Sequence, residues 1–72
     1  MLDREVIEYL RGMYPNGARV RLARLDDPYV SIPTGSLGTV RTVDDIGTIH
    51  VEWDNGLHLG CVFGEDIVEK VV

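Results

Sequence analysis

The side chains able to do chemistry in this 72-residue chain are few and scattered. Nucleophilic catalysis needs a nucleophile, a base and a group that orients the base. The only thiol, Cys61, lies in an apolar alternation that predicts an inward-facing strand position, so it reads as a small core residue rather than a nucleophile. Paired acids occur at Asp26-Asp27, Asp44-Asp45 and Glu65-Asp66. All three pairs sit in turn-forming sequence, where Asp caps backbone amides, and this reading is preferred to general acid–base work. The expectation is a protein that is not an enzyme, with no catalytic residues and no cofactor.

Three constellations remain for binding. His50, Glu52 and His58 are predicted on the outer face of one hairpin, where three such ligands could hold zinc. A solvated cross-strand pair is the preferred reading, because the sequence names no second shell, so no metal is expected. Arg19, Arg21, Arg24 and Arg41 could surround a small anion if their two strands are neighbours. The segment Pro33-Thr34-Gly35-Ser36-Leu37-Gly38 contains glycines but enters a strand, unlike a phosphate-binding loop that enters a helix. Its glycines are read as turn residues.

The strongest interaction candidate is the loop Asp26-Asp27-Pro28-Tyr29-Val30-Ser31-Ile32-Pro33. Tyr29 and Ile32 would place apolar surface beside Asp26, Asp27 and two prolines, a composition suited to a binding hot spot. The alternative is that Tyr29 and Ile32 fold back as a cover for the core.

Charge narrows the partners. The net charge is −5, with five arginines against three acids up to Arg24 and nine acids against Arg41 and Lys70 thereafter. That balance opposes direct nucleic-acid binding, where positive charge supplies most of the affinity. No apolar run approaches membrane-spanning length and no signal-peptide core follows the charged start, so a soluble, cytoplasmic protein is expected. A protein partner or a small anionic ligand fits this composition.

The elements that must position these residues follow from periodicity. Leu2, Val6, Tyr9, Leu10 and Met13 fall on one face at helical spacing, opposite Arg4, Glu5, Glu8 and Arg11. A helix is predicted over residues 3–12, with Gly12 as its C-terminal cap and Pro15 preventing continuation. Its apolar face either covers an open end of the fold or forms a seam in a homodimer or higher oligomer. Residues 1–13 are thus a helical segment and residues 14–72 a β-rich body. Strands are predicted at Arg19–Leu22, with a slip at Arg24-Leu25, then at 38–43, 48–53, 57–61 and 67–72. Five short strands with turn signals between them suggest a small barrel or sandwich.

The hairpin after Trp53 allows a closer argument. A two-residue Asn55-Gly56 loop would set Trp53 opposite His58 and Val51 opposite Gly60. A three-residue loop, Asp54-Asn55-Gly56, sets Trp53 opposite Leu57, Val51 opposite Leu59 and Ile49 opposite Cys61. A one-residue slip exchanges the two faces, so the apolar pattern selects the longer loop. Gly56 is then left-handed in a type I turn closed by a bulge, Trp53 is buried with Leu57, and Glu52 meets His58 outside.

The segments Tyr14–Leu22, Asp26–Tyr29, Pro33–Val40, Val43–Gly47 and Val51–Gly56 together resemble a small bacterial and phage family known as domain-of-unknown-function family 4314. Gly-Thr-Val followed by Trp-Asp-Asn-Gly also recurs in other SH3-like β-barrel modules. The resemblance spans residues 14–71 and omits the helix. It implies a mainly β fold, a five-stranded SH3-like barrel, and a bacterial, phage or mobile-element origin. It implies no activity. The expected function is a small non-enzymatic binding module. The alternative is a phage-encoded anti-defence inhibitor that sequesters a small anionic nucleotide signal or blocks a host nucleic-acid-handling protein.

Overall fold

A computed structural model describes residues 3–26 and 32–71. The chain opens with helix α1, Arg4–Met13, followed by strands β1 (Arg19–Arg24), β2 (Leu37–Val43), β3 (Thr48–Trp53), β4 (His58–Val62) and β5 (Ile67–Lys70). The fold is mainly β, as the alternation predicts. No helix among the described residues is long and apolar enough to cross a membrane.

Asp3 starts α1. Its carboxylate accepts the Val6 N–H at 3.0 Å, satisfying one of the donors that a helix start leaves free. Arg4 and Glu8 form an i,i+4 pair at 3.1 Å. The predicted cap at Gly12 is wrong. The helix runs through Gly12 to Met13, and the Tyr14 N–H closes the last turn on the Leu10 carbonyl at 2.8 Å. Pro15 has no N–H to continue the ladder, so Pro15 is the stop. The buried stripe is also rotated from the predicted one. Leu10 and Ile7 are buried, whereas Tyr9 is 60% exposed.

The five strands form one antiparallel sheet in the order β4-β3-β2-β1-β5. Strands β4 and β5, consecutive in sequence, are its two edges, joined by a turn in which Phe63 and Asp66 form an isolated bridge. No β4–β5 ladder joins the two edges among the described residues, so the five strands form one open antiparallel sheet. The slip at Arg24 is real: the β1–β5 register shifts between Leu22 and Arg24. Strand β2 starts at Leu37, one residue early, and β5 ends at Lys70 rather than Val72. The Val71 N–H still bonds the Arg19 carbonyl at 2.9 Å.

The β3–β4 hairpin has the three-residue register. Glu52 pairs with His58, Val51 with Leu59 and Ile49 with Cys61. The Trp53 N–H bonds the Leu57 carbonyl at 2.8 Å, the Gly56 N–H bonds the Trp53 carbonyl at 2.9 Å, and Gly56 has φ 93°. Trp53 is buried, and its indole N–H donates to the Leu59 carbonyl at 3.2 Å. Leu57 departs from expectation: it faces Trp53 across the hairpin yet is 45% exposed, because it stands at the mouth of the turn beyond the packed core.

One core unites the molecule. Leu10 from α1 packs with Val20, Leu22, Val40, Val43, Ile49, Val51, Trp53 and Cys61 from the sheet, and with Ile32. Helix and sheet therefore share a single apolar interior rather than forming separable units.

Candidate functional site

Three of the four arginines proposed as an anion site are matched to acids. The Arg19 guanidinium donates to the Thr39 hydroxyl at 2.9 Å and to both Asp54 oxygens at 2.8 and 2.7 Å. This two-pronged geometry is what the planar guanidinium favours with a carboxylate. Hydrogen bonding to Arg19 holds the Asp54 carboxyl below its ordinary value. Arg41 donates to Glu52 at 2.8 Å and lowers the Glu52 carboxyl in the same way. Arg21 lies 3.8 Å from Glu69. Arg24 stands on β1 opposite Ile67 and is exposed. Arg19, Arg21 and Arg41 thus serve as partners of acids on neighbouring strands.

His50, Glu52 and His58 share the outer face of the β3–β4 hairpin, as predicted, but they do not assemble as ligands. His50 Nε2 lies 2.8 Å from Asp44 Oδ2, and Glu52 is taken by Arg41. Among the described residues no three His, Cys, Asp or Glu side chains converge to hold a metal ion. Asp44 is occupied further: its Oδ1 accepts the Ile46 and Thr48 N–H groups at 3.1 and 2.9 Å. The hydrogen bond to His50, followed by these amides, holds the Asp44 carboxyl below its ordinary value.

The other chemistry-bearing residues also have structural duties. Cys61 is buried, and loss of solvation pushes its thiol up to about 12, far from a reactive thiolate. Asp66 accepts the Val62 N–H at 2.9 Å and the Asp26 N–H at 2.7 Å. In the glycine-containing segment, a Cβ on Gly38 would lie 2.5 Å from Val51 Cγ1 and 2.8 Å from Trp53 Cε3. Gly38 is therefore required for Trp53 to pack beneath β2.

Ile32 is buried in the core, so for that residue the covering role is correct and the exposed contact is not. Asp27 and Tyr29, also singled out in this loop, lie outside the described residues, as does all of 27–31.

A feature that sequence reading missed is an apolar groove of about 300 Å³ where the β4–β5 turn meets β5. Tyr14, Phe63, Ile67 and Val68 line it, with Ile49 and Asp66. Phe63 and Ile67 are 45% and 50% exposed. The bond from the Asp26 N–H to Asp66 anchors the start of the 26–33 loop at this groove. The apolar character of Phe63 and Ile67 is visible in the sequence, but Tyr14 comes from a segment some fifty positions away, and only the fold brings the three together.

A five-stranded antiparallel sheet with one short helix on its core defines a small mainly β domain. The chain belongs to the family described as Domain of unknown function (DUF4314), whose model matches residues 3–71. The match takes in α1, which the resemblance read from the sequence left out. No curated protein and no solved structure matches the chain.

Proposed function

We propose that this domain is a non-enzymatic protein-interaction module, and that its contact surface is the groove at the β4–β5 turn. The observation that carries this reading is the exposure of Phe63 and Ile67 on the walls of one concave apolar site. Exposed aromatic and aliphatic side chains around a groove are the usual anchors of a protein interface. Asp66 lines the groove with Asp26 tied to it, so the occupant that fits is an extended apolar segment bearing a basic residue. The sheet order also suits an SH3-like barrel, in which the long loop after the first strand borders the ligand groove. The tie between Asp26 and Asp66 supports that arrangement.

The anion-sequestering alternative needs free cations at one point, and Arg19, Arg21 and Arg41 are each matched to an acid. A bacterial, phage or mobile-element origin and a cytoplasmic setting remain parts of the proposal.

Peptides selected from a random display library on the wild-type domain test the reading. They should carry apolar residues beside Lys or Arg, and should bind a Phe63→Ala/Ile67→Ser variant at least tenfold more weakly. Undiminished binding to that folded variant would overturn the groove. Loss of binding only on reversing Arg19 and Arg21 would favour the anion alternative, and loss on changing Asp27 and Tyr29 would move the contact to the loop.

A further inference from the structure

The edge of β4 is an unpaired ladder whose phase is fixed by its own hairpin. Trp53 and Leu57 are a hydrogen-bonded pair. Bonded and non-bonded pairs alternate along an antiparallel ladder, so Leu59 and Cys61 bond β3 while His58, Gly60 and Val62 turn their backbone groups outward. Val62 confirms this phase. Its N–H goes to Asp66, and its carbonyl accepts the Glu65 and Asp66 N–H groups at 3.0 and 2.9 Å. The turn therefore seals the far end of the edge. The N–H and C=O of His58 and Gly60 point out, and no hydrogen bond among the described residues takes them.

Edge strands are commonly guarded by lysine, proline or inward charge. β5, the other edge, carries Glu69 and Lys70, whereas His58-Leu59-Gly60-Cys61-Val62 has none of these guards. The outer face over this edge is hollow. A depression of about 130 Å³ lies among Arg41, His50, His58 and Gly60, and the Thr48 γ-methyl closes over Gly60 itself, 2.6 Å from where a Cβ would stand.

We propose that this edge pairs antiparallel with the same edge of a second copy, joining two five-stranded sheets into one of ten. Two-fold registers that set Val62 opposite itself or opposite Gly60 use groups the turn has already taken, which leaves three to compare. Setting Gly60 opposite its own copy places His58 opposite Val62, whose groups the turn has already used. Setting His58 opposite its own copy places Gly60 opposite Gly56, inside the hairpin loop. The remaining register sets His58 opposite the second copy's Gly60 and Leu59 opposite its own copy. It satisfies all four outward groups on both chains. It also sets each His58 imidazole on the outer face beside the other chain's Gly60, at the depression next to His50, while the half-buried Leu59 side chains meet on the inner face. The depression is then completed by the second copy. This surface is distinct from the groove at the β4–β5 turn, and either can hold without the other.

Nuclear magnetic resonance on an equal mixture of isotope-labelled and unlabelled chains at millimolar concentration is the test. Opposed residues in a non-bonded antiparallel pair bring their α-protons together, so an intermolecular contact between Leu59 Hα atoms is expected. Sedimentation should report a dimer. A synthetic chain N-methylated at the His58 amide keeps every side chain and every β3 bond, and should sediment as a folded monomer. A wild-type chain that stays monomeric would overturn the proposal. So would a dimer that survives N-methylation, since the pairing would then use another face, such as α1.

Discussion

Gly56 concentrates the logic of the hairpin in one residue. Its φ of 93° is open to glycine and strained for any residue with a branched Cβ, although nothing lies within 4 Å of a Cβ built there. A Gly56→Val substitution therefore acts through backbone strain alone and should cost about 1–3 kcal/mol. Chemical denaturation should show a lower midpoint with an unchanged slope. Two residues earlier, Asp54 accepts both prongs of Arg19. Its carboxyl titrates below the ordinary 3.8 in the folded chain. Folding is therefore favoured by this pair above the ordinary value, and that contribution is lost as pH falls through the lower folded value. An Asp54→Asn variant should lose stability near neutrality and show a shallower decline on acidification than the wild type. A thermal melt series from neutral to acidic pH reads this directly, and parallel curves would show that the pair adds nothing.

At the scale of elements, α1 is stabilised by one cap and one buried stripe. Asp3 accepts the Val6 N–H, so Asp3→Ala should cost about 1 kcal/mol, read as a lowered midpoint of unfolding. Arg11 ties the other end of α1 to the β2–β3 turn, donating to the Val43 carbonyl at 3.1 Å and to Asp45 at 2.8 Å. Neither tie is visible at the level of helical periodicity. Periodicity places Leu10 and Val6 on the core side correctly but includes Tyr9 and omits Ile7, because Val6-Ile7 and Tyr9-Leu10 are each apolar neighbours and the helix's rotation against the sheet decides which are covered. The β3–β4 hairpin was legible because period two gives only two registers and only one pairs apolar with apolar. The arginines were not. Arg19 reaches Asp54 past Thr39 of β2, and that contact depends on β1, β2 and β3 being neighbours in that order. The groove failed to show for the same reason: Tyr14, Phe63 and Ile67 meet only once β4 and β5 become opposite edges joined by a turn.

For the whole molecule, size is the governing quantity. A folded domain is stable by roughly 0.05–0.15 kcal/mol per residue, which for 72 residues is about 4–11 kcal/mol. Leu10 is fully buried, and its neighbours in the core come from the sheet. Truncating such a leucine costs about 2–5 kcal/mol through lost transfer energy and the cavity left behind. That is a large share of the total, so Leu10→Ala in the helix should weaken the sheet as well. The molecule carries two independent reporters of this coupling. Circular dichroism follows α1, the only helix among the described residues, and fluorescence follows Trp53, the sole tryptophan, buried under β2. If helix and sheet share one core, the two signals melt at one temperature in the wild type and shift down together in Leu10→Ala. If α1 were only a lid, its signal would be lost first while Trp53 stayed buried. In that case the helix would be an accessory to an independently stable sheet, and residues 14–72 would fold alone. The packing of Leu10, with Val6, against the sheet residues predicts the single transition.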